Sequence, residues 1–114
     1  LNIECTRFKV KKGKSQKVDE WMSLLNQYMD EVLLTLADEK MYVETIFREV
    51  LNGEEFLYWY SIQGEGGQGV SDSQHEIDRL HLQYWNECID VTYEPVDLNM
   101  QVSMIPKNII REMK

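Results

Sequence analysis

Met41-Tyr-Val-Glu-Thr-Ile-Phe-Arg-Glu-Val-Leu51 and Glu55-Phe-Leu-Tyr-Trp-Tyr-Ser-Ile62 stand on either side of Asn52-Gly53, and this stretch decides the fold. Both runs are dense in β-branched and aromatic residues, and Asn-Gly favours the positive backbone angles of a tight hairpin turn. Two long antiparallel strands are therefore expected at the centre of the chain. One helical stretch and then one further strand flank them on each side.

Towards the N-terminus, residues 3–10 alternate Ile3, Cys5, Arg7, Lys9 against Glu4, Thr6, Phe8, Val10, which suits a short strand. Gly13 supplies a turn and Ser15 is placed to cap a helix, with Asp19 and Glu20 near its positive end. Val18, Trp21, Leu25, Tyr28, Met29, Val32 and Leu36 recur at three- and four-residue steps, so one helix is expected to run to about Leu36. Asp38-Glu39-Lys40 then reads as a polar link into the hairpin.

On the C-terminal side, Gly64-Glu-Gly-Gly-Gln-Gly69 is followed by Ser73 and Glu76 at the spacing of a capping box. A second helix is expected from there to about Asp90, with Ile77, Leu80, His81, Tyr84, Trp85 and Cys88 on its apolar stripe. Residues 97–105 alternate Leu98, Met100, Val102, Met104 with Asn99, Gln101, Ser103, the pattern of a half-buried strand closed by Pro106. Residues 1–106 thus form one domain, and residues 107–114 a C-terminal tail with room for a helical turn.

The order strand, helix, hairpin, helix, strand predicts an α+β, ferredoxin-like βαββαβ fold. Its four-stranded antiparallel sheet carries both helices on one face, because right-handed crossovers place them together. Phe56, Tyr58, Tyr60 and Ile62 then fall on one side of the sheet, and Leu57 and Trp59 on the other. An aromatic face left without helices needs a cover, and a second copy of the chain is the simplest one. A homodimer through the open sheet face is the expectation.

A length of 114 residues suffices for a core without disulfides or metals. The formal charge of −8 excludes nucleic acid as an expected partner, since phosphate binding draws on Lys and Arg. Even so, Arg7, Lys9, Lys11, Lys12, Lys14 and Lys17 form a local basic corner. No apolar run approaches the roughly 20 residues of a membrane helix, and Leu1-Asn-Ile-Glu-Cys-Thr-Arg7 has no secretory pattern, so a cytoplasmic location is expected without membrane partners. Cys5 and Cys88 lack neighbours at zinc spacing and read as buried thiols.

With these elements in place, the Phe8-Lys-Val-Lys-Lys-Gly-Lys14 corner and the long aromatic hairpin resemble the dimeric α+β barrel superfamily. That superfamily includes antibiotic-biosynthesis-type monooxygenases, sugar mutarotases and several stress proteins. More narrowly, Tyr42-Val-Glu-Thr-Ile-Phe47 and His81-Leu-Gln-Tyr-Trp-Asn-Glu-Cys88 are similar to a small bacterial family of unknown function. The resemblance implies two sheets facing each other across a dimer, with ligands held in the barrel or between a sheet and its helices. It implies no particular activity.

His81 is the leading candidate for chemistry, because it falls on the inward arc of its helix and titrates near neutral pH. The competing reading is a core histidine with one nitrogen hydrogen-bonded and no task. Glu44 and Arg48 share a register of the hairpin and would either contact a ligand or pair structurally, because an unpaired buried charge is costly. Ligand contacts are expected from His81, Tyr84, Trp85, Tyr58 and Tyr60.

Residues 64–69 match G-x-G-x-x-G literally, but a dinucleotide site needs the helix to begin within the glycine turn, whereas Val70, Ser71 and Asp72 intervene. A loop is the better reading. The basic corner reads as a solvated loop more readily than as an anion site. No metal site, cofactor or nucleophilic triad is expected, since His75 and His81 lie on different faces and Cys88 stands two turns from His81.

The resulting expectation is a homodimer binding a small, partly apolar molecule between the second helix and the sheet. Two alternatives stand beside it. One is a cofactor-free monooxygenase or isomerase with His81 as general base and Glu44 or Arg48 polarising the substrate; the other is a structural or regulatory dimer with no ligand.

Overall fold

The computed structural model describes residues 1–67 and 74–113. Strand β2 (Met41–Leu51) pairs antiparallel with β3 (Glu54–Gln63), and Leu51 opposite Glu54 closes the ladder. Asn52 and Gly53 have φ of 53° and 78°, the two positive angles the hairpin turn demands. Strand β1 (Asn2–Lys9) pairs with the far side of β3, and β4 (Val96–Asp97) with β1, giving the order β2-β3-β1-β4. This is the ferredoxin-like α+β arrangement.

Residues directly opposite in a ladder share a face. Leu57, Trp59 and Ser61 therefore lie with Phe8, Thr6 and Glu4 of β1 and with Arg48, Ile46 and Glu44 of β2. This face receives the helices α1 (Ser15–Gln27), α2 (Met29–Glu39) and α3 (Glu76–Cys88). Val10, Val18, Trp21, Leu57, Cys88 and Ile89 form the buried core between the layers. Trp21 and Leu57 are wholly buried, and a side chain such as Leu57 contributes about 2–3 kcal/mol through its burial.

The opposite face carries Phe56, Tyr58, Tyr60 and Ile62 with Cys5 and Arg7 of β1 and Phe47 of β2. It is partly covered from within. Tyr93 lies against Phe56, with ring centroids 5.8 Å apart, and its hydroxyl accepts a hydrogen bond from Arg7 Nε at 2.9 Å. Phe56 and Ile62 are buried, Tyr58 and Tyr60 half-buried, and Phe47 is exposed.

Three expectations about the elements need correction. The first helical stretch is two helices that meet at Tyr28, whose φ and ψ of −103° and 34° break the helical path. Its N–H ends α1 on Leu24 O, and its carbonyl begins α2 by accepting from Val32. Tyr28 and Met29, expected on the inward stripe, are exposed at the joint, and α2 continues past Leu36 to a left-handed cap at Lys40. The inward positions of its last turns are the buried Thr35 and Glu39.

Ser15, the expected cap, is the first helical residue; Lys14 holds the cap position with no side-chain bond. At the second helix, Ser73 of the expected capping box lies outside the described residues, and α3 begins at Glu76 after His75.

The last strand is the largest departure, because residues 97–105 were expected to form it and β4 is only Val96–Asp97. Pairing of Thr6 with Asp97 sets a register in which Asn2, where β1 begins, stands opposite Gln101. Residues 102–105 therefore run past the end of β1 and find no ladder there. The backbone bond from Leu98 N to Cys5 O is the last one that ties this segment to β1. Leu98, Met100, Val102 and Met104 are left 44%, 58%, 67% and 85% exposed. Helix α4 (Lys107–Glu112) follows Pro106.

Candidate functional site

Between α1, α2, α3 and the helix-facing side of the sheet lies a cavity of about 660 Å³. That volume falls in the usual range for small-molecule sites. Ile46, Trp59 and Phe8 line it from the strands, and Val32, Leu36, Ile77, Leu82 and Trp85 from the helices. The lining is largely apolar, interrupted by a few ionisable groups. Those groups are Glu4, Glu39, Glu44, Asp78 and His81.

His81 enters on α3, three residues after Asp78 and four before Trp85, so the three share one face of the helix. Trp21 Nε1 donates to His81 Nδ1 at 2.9 Å. An accepting Nδ1 places the ring proton on Nε2, so His81 meets the cavity as a neutral hydrogen-bond donor. Burial lowers its pKa, and the nearby Asp78 opposes that shift only in part. The His81 ring also packs against Trp21 and Trp59, with centroids 5.4 and 5.7 Å away. The arrangement combines the core histidine of the competing reading with a place on a cavity wall, and it argues against a general base at this position.

Glu44 reaches the cavity from β2 and accepts a hydrogen bond from Trp59 Nε1 at 3.1 Å. Although Glu44 is exposed, desolvation of its carboxyl raises its pKa, Trp59 opposing and Asp78 reinforcing the shift. Glu39, at the end of α2, is 9% exposed. Desolvation first, then the charges of Glu44, Asp78 and Asp38, push its carboxyl up to about 7. Asp78 is 6% exposed, and its Oδ2 has no hydrogen-bond partner among the described residues. Three carboxyl groups from three elements thus repel one another around one chamber.

Arg48 does not join them. It donates to Glu55, Asp19 and Ser15, tying the hairpin to the start of α1, which is the structural pairing weighed for it above. Of the aromatic residues expected to contact a ligand, Trp85 lines the cavity. Tyr84 stacks beside Trp21 at 6.5 Å, under the ammonium of Lys17, and is not part of the lining. Tyr58 and Tyr60 project from the opposite side of the sheet, because their even-numbered register alternates with that of Trp59. Tyr58 donates instead to Glu49 at 2.7 Å.

The basic corner is internally paired: Lys9 with Glu54, Lys14 with Glu87, Lys17 with Glu20 and Glu87. Both cysteines are free thiols; Cys88 is buried and Cys5 half-buried. The glycine run is described as far as Gly67, and Gly69 lies outside the described residues. A Cβ at Gly67 would stand 1.9 Å from the carbonyl oxygen of Glu39, so this loop packs its backbone directly against the end of α2.

Sequence reasoning missed Glu39 and Asp78. Glu39 falls in a link when the helix is ended at Leu36, although a three-residue step from Val32 reaches Thr35 and a four-residue step from there reaches Glu39. Asp78 was passed over although its spacing to His81 and Trp85 matches the inward stripe. A carboxylate on an apolar stripe was the available signal.

Together, the strand order and the chamber under the helices define a ferredoxin-like protein with a ligand-sized interior. A model for a family described as "Family of unknown function (DUF6176)" matches residues 1–111, and the chain belongs to that family. No curated protein sequence matches the chain. Among solved structures, the crystal structure of L-rhamnose mutarotase FA22100 from Formosa agariphila is similar, with a TM-score of 0.54 at 15% sequence identity. The match covers 94% of this chain and 100% of that one. Similarity at this level supports the ferredoxin-like fold. Among the described residues, no helix is long and apolar enough to cross a membrane.

Proposed function

We propose that this protein binds a small, partly apolar molecule in the chamber between the helices and the sheet, and that it does so as a homodimer. The observation that carries the first part is the chamber itself, about 660 Å³ walled by Trp59, Trp85, Ile46 and Leu82, with a histidine and carboxyl groups converging on it. A filled core would have left no such volume, which weighs against a purely structural dimer. Native mass spectrometry of protein purified from cells without added ligand tests this reading. The expected result is a bound small molecule that Leu82→Trp, which fills the chamber, displaces; an adduct-free spectrum would contradict it.

The dimer is supported by apolar surface. Phe47 on β2 is 58% exposed on the outer sheet face, and the alternating side chains beyond β4 stand in the open. A second copy would cover the outer sheet face and offer the unpaired residues 98–105 a place to lie. Sedimentation analysis should return twice the subunit mass at micromolar concentration, and a single-subunit mass would remove this part.

An isomerase-type enzyme is the second reading, favoured by one observation: Glu39, with its pKa near 7, is placed to exchange protons at neutral pH inside the chamber. The structural neighbour is named a mutarotase, and anomer exchange of a sugar is acid–base chemistry of this kind. NMR of freshly dissolved α-L-rhamnose, with and without the protein, tests it. Acceleration of anomer exchange that Glu39→Gln abolishes would support the enzyme.

A further inference from the structure

From Asp78, Glu39, Glu44 and the indoles of Trp59 and Trp85, we infer that the occupant of the chamber is a protonated amine carried on an apolar body. This rests on the chamber being a ligand site, as proposed above, and adds the sign and kind of charge.

Asp78 is the starting point. Its carboxylate is more than nine-tenths buried on the cavity wall, and Oδ2 has no donor among the described residues. A buried acceptor left unmatched costs roughly 1–3 kcal/mol, more if charged, and a donor brought against the Asp78 carboxyl from the chamber relieves that cost. Glu39 and Glu44 add two more carboxyl groups that interact with Asp78 and with each other. Among the described residues, no Lys or Arg lines the chamber. A phosphate or carboxylate ligand would meet carboxyl groups on three sides with the His81 N–H as its one counterpart among those ionisable groups, and a neutral polyol would leave the mutual repulsion in place. A cation relieves both.

The walls decide which cation. Among the described residues, no three His, Cys, Asp or Glu side chains are grouped as metal ligands, so an organic cation suits the acids better than a bare metal ion. Trp59 and Trp85 meet edge to face, with centroids 5.2 Å apart, and together with Leu82 and Ile46 offer apolar and π surface beside the acids. An ammonium has three donors for carboxylates and is attracted to indole faces, while its carbon body fills the apolar part. The repulsion favours a proton on Glu39 near neutral pH, and an arriving ammonium expels it.

Isothermal titration calorimetry with three probes of matched shape tests this: phenethylammonium chloride, 2-phenylethanol and sodium 3-phenylpropanoate, each at pH 7 in two buffers of different ionisation enthalpy. The expected result is binding of phenethylammonium at least about tenfold tighter than 2-phenylethanol, no binding of the carboxylate, and release of about half a proton on amine binding. Asp78→Asn and Glu44→Gln should each weaken the amine about tenfold; two isosteric variants guard against one failing to fold. Glu76→Gln, on the outer side of α3, should leave it unchanged. Equal binding of alcohol and amine would overturn the inference while leaving the ligand chamber standing. Failure of all three probes with folded protein would overturn both.

Discussion

Trp21 Nε1 and His81 Nδ1 are joined by a hydrogen bond of 2.9 Å that links α1 to α3 beneath the chamber. The bond exists only while Nδ1 is unprotonated, so it holds the imidazole neutral in one tautomer. With desolvation acting in the same direction, the folded His81 has a pKa below its unfolded value. As pH falls through the unfolded pKa near 6.5, the unfolded chain therefore takes up a proton before the folded one, and stability is lost. Trp21→Phe should raise the His81 pKa, read from the imidazole NMR shifts. An unchanged pKa would show that burial alone sets it.

Glu39 acts with the opposite sign. Its folded pKa of about 7 lies above the ordinary 4.5 of a glutamate, so the folded state holds a proton that the unfolded state has released between those values. Stability falls as pH rises through this window, by up to about 3 kcal/mol at 1.36 kcal/mol per unit. The groups acting on Glu39 are Glu44 from β2, Asp78 from α3 and Asp38 beside it. The Glu39 and His81 contributions oppose each other just below pH 6.5, which flattens the wild-type profile there. Denaturation of Glu39→Gln from pH 4.5 to 8 should show the rise from His81 alone.

Asp78→Asn should stabilise the protein by about 1 kcal/mol at pH 8, because it removes the most buried of three mutually repelling charges. The same substitution weakens the site, the usual exchange between stability and function. Urea denaturation provides the check.

Gly67→Ala should destabilise by at least about 1 kcal/mol, since its Cβ would collide with the Glu39 carbonyl and that backbone cannot swing aside as a side chain would. It should also shift the Glu39 titration, because the loop packs on the turn that carries Glu39. A neutral substitution with an unchanged titration would dissociate the loop from the site.

Much of this was legible in the sequence, and the reasons are local. Asn52-Gly53 fixes its hairpin because so few residues tolerate two successive positive φ angles, and Trp21 and His81 fall inward by simple helical periodicity. The break at Tyr28 left no trace, as neither Gly nor Pro marks it. The strand expected at residues 97–105 departs for a non-local reason: its alternation is real, but residues 102–105 run past the end of β1 and the ladder stops at Asp97 although residues 98–101 still stand opposite β1, and neither is written in the strand itself. Glu39 was hidden by an early helix end. Asp78 was hidden by the habit of reading carboxylates as solvent-facing.

The central claim is that the space under the helices is a site awaiting a donor for Asp78. A crystal structure of the protein purified without added ligand addresses it most directly. The account predicts a non-protein molecule, or ordered water in its place, within hydrogen-bond distance of Asp78 Oδ2 and against the Trp59 indole. A chamber closed by α2 and α3 packing onto Trp59, with Asp78 turned out to solvent, would contradict it.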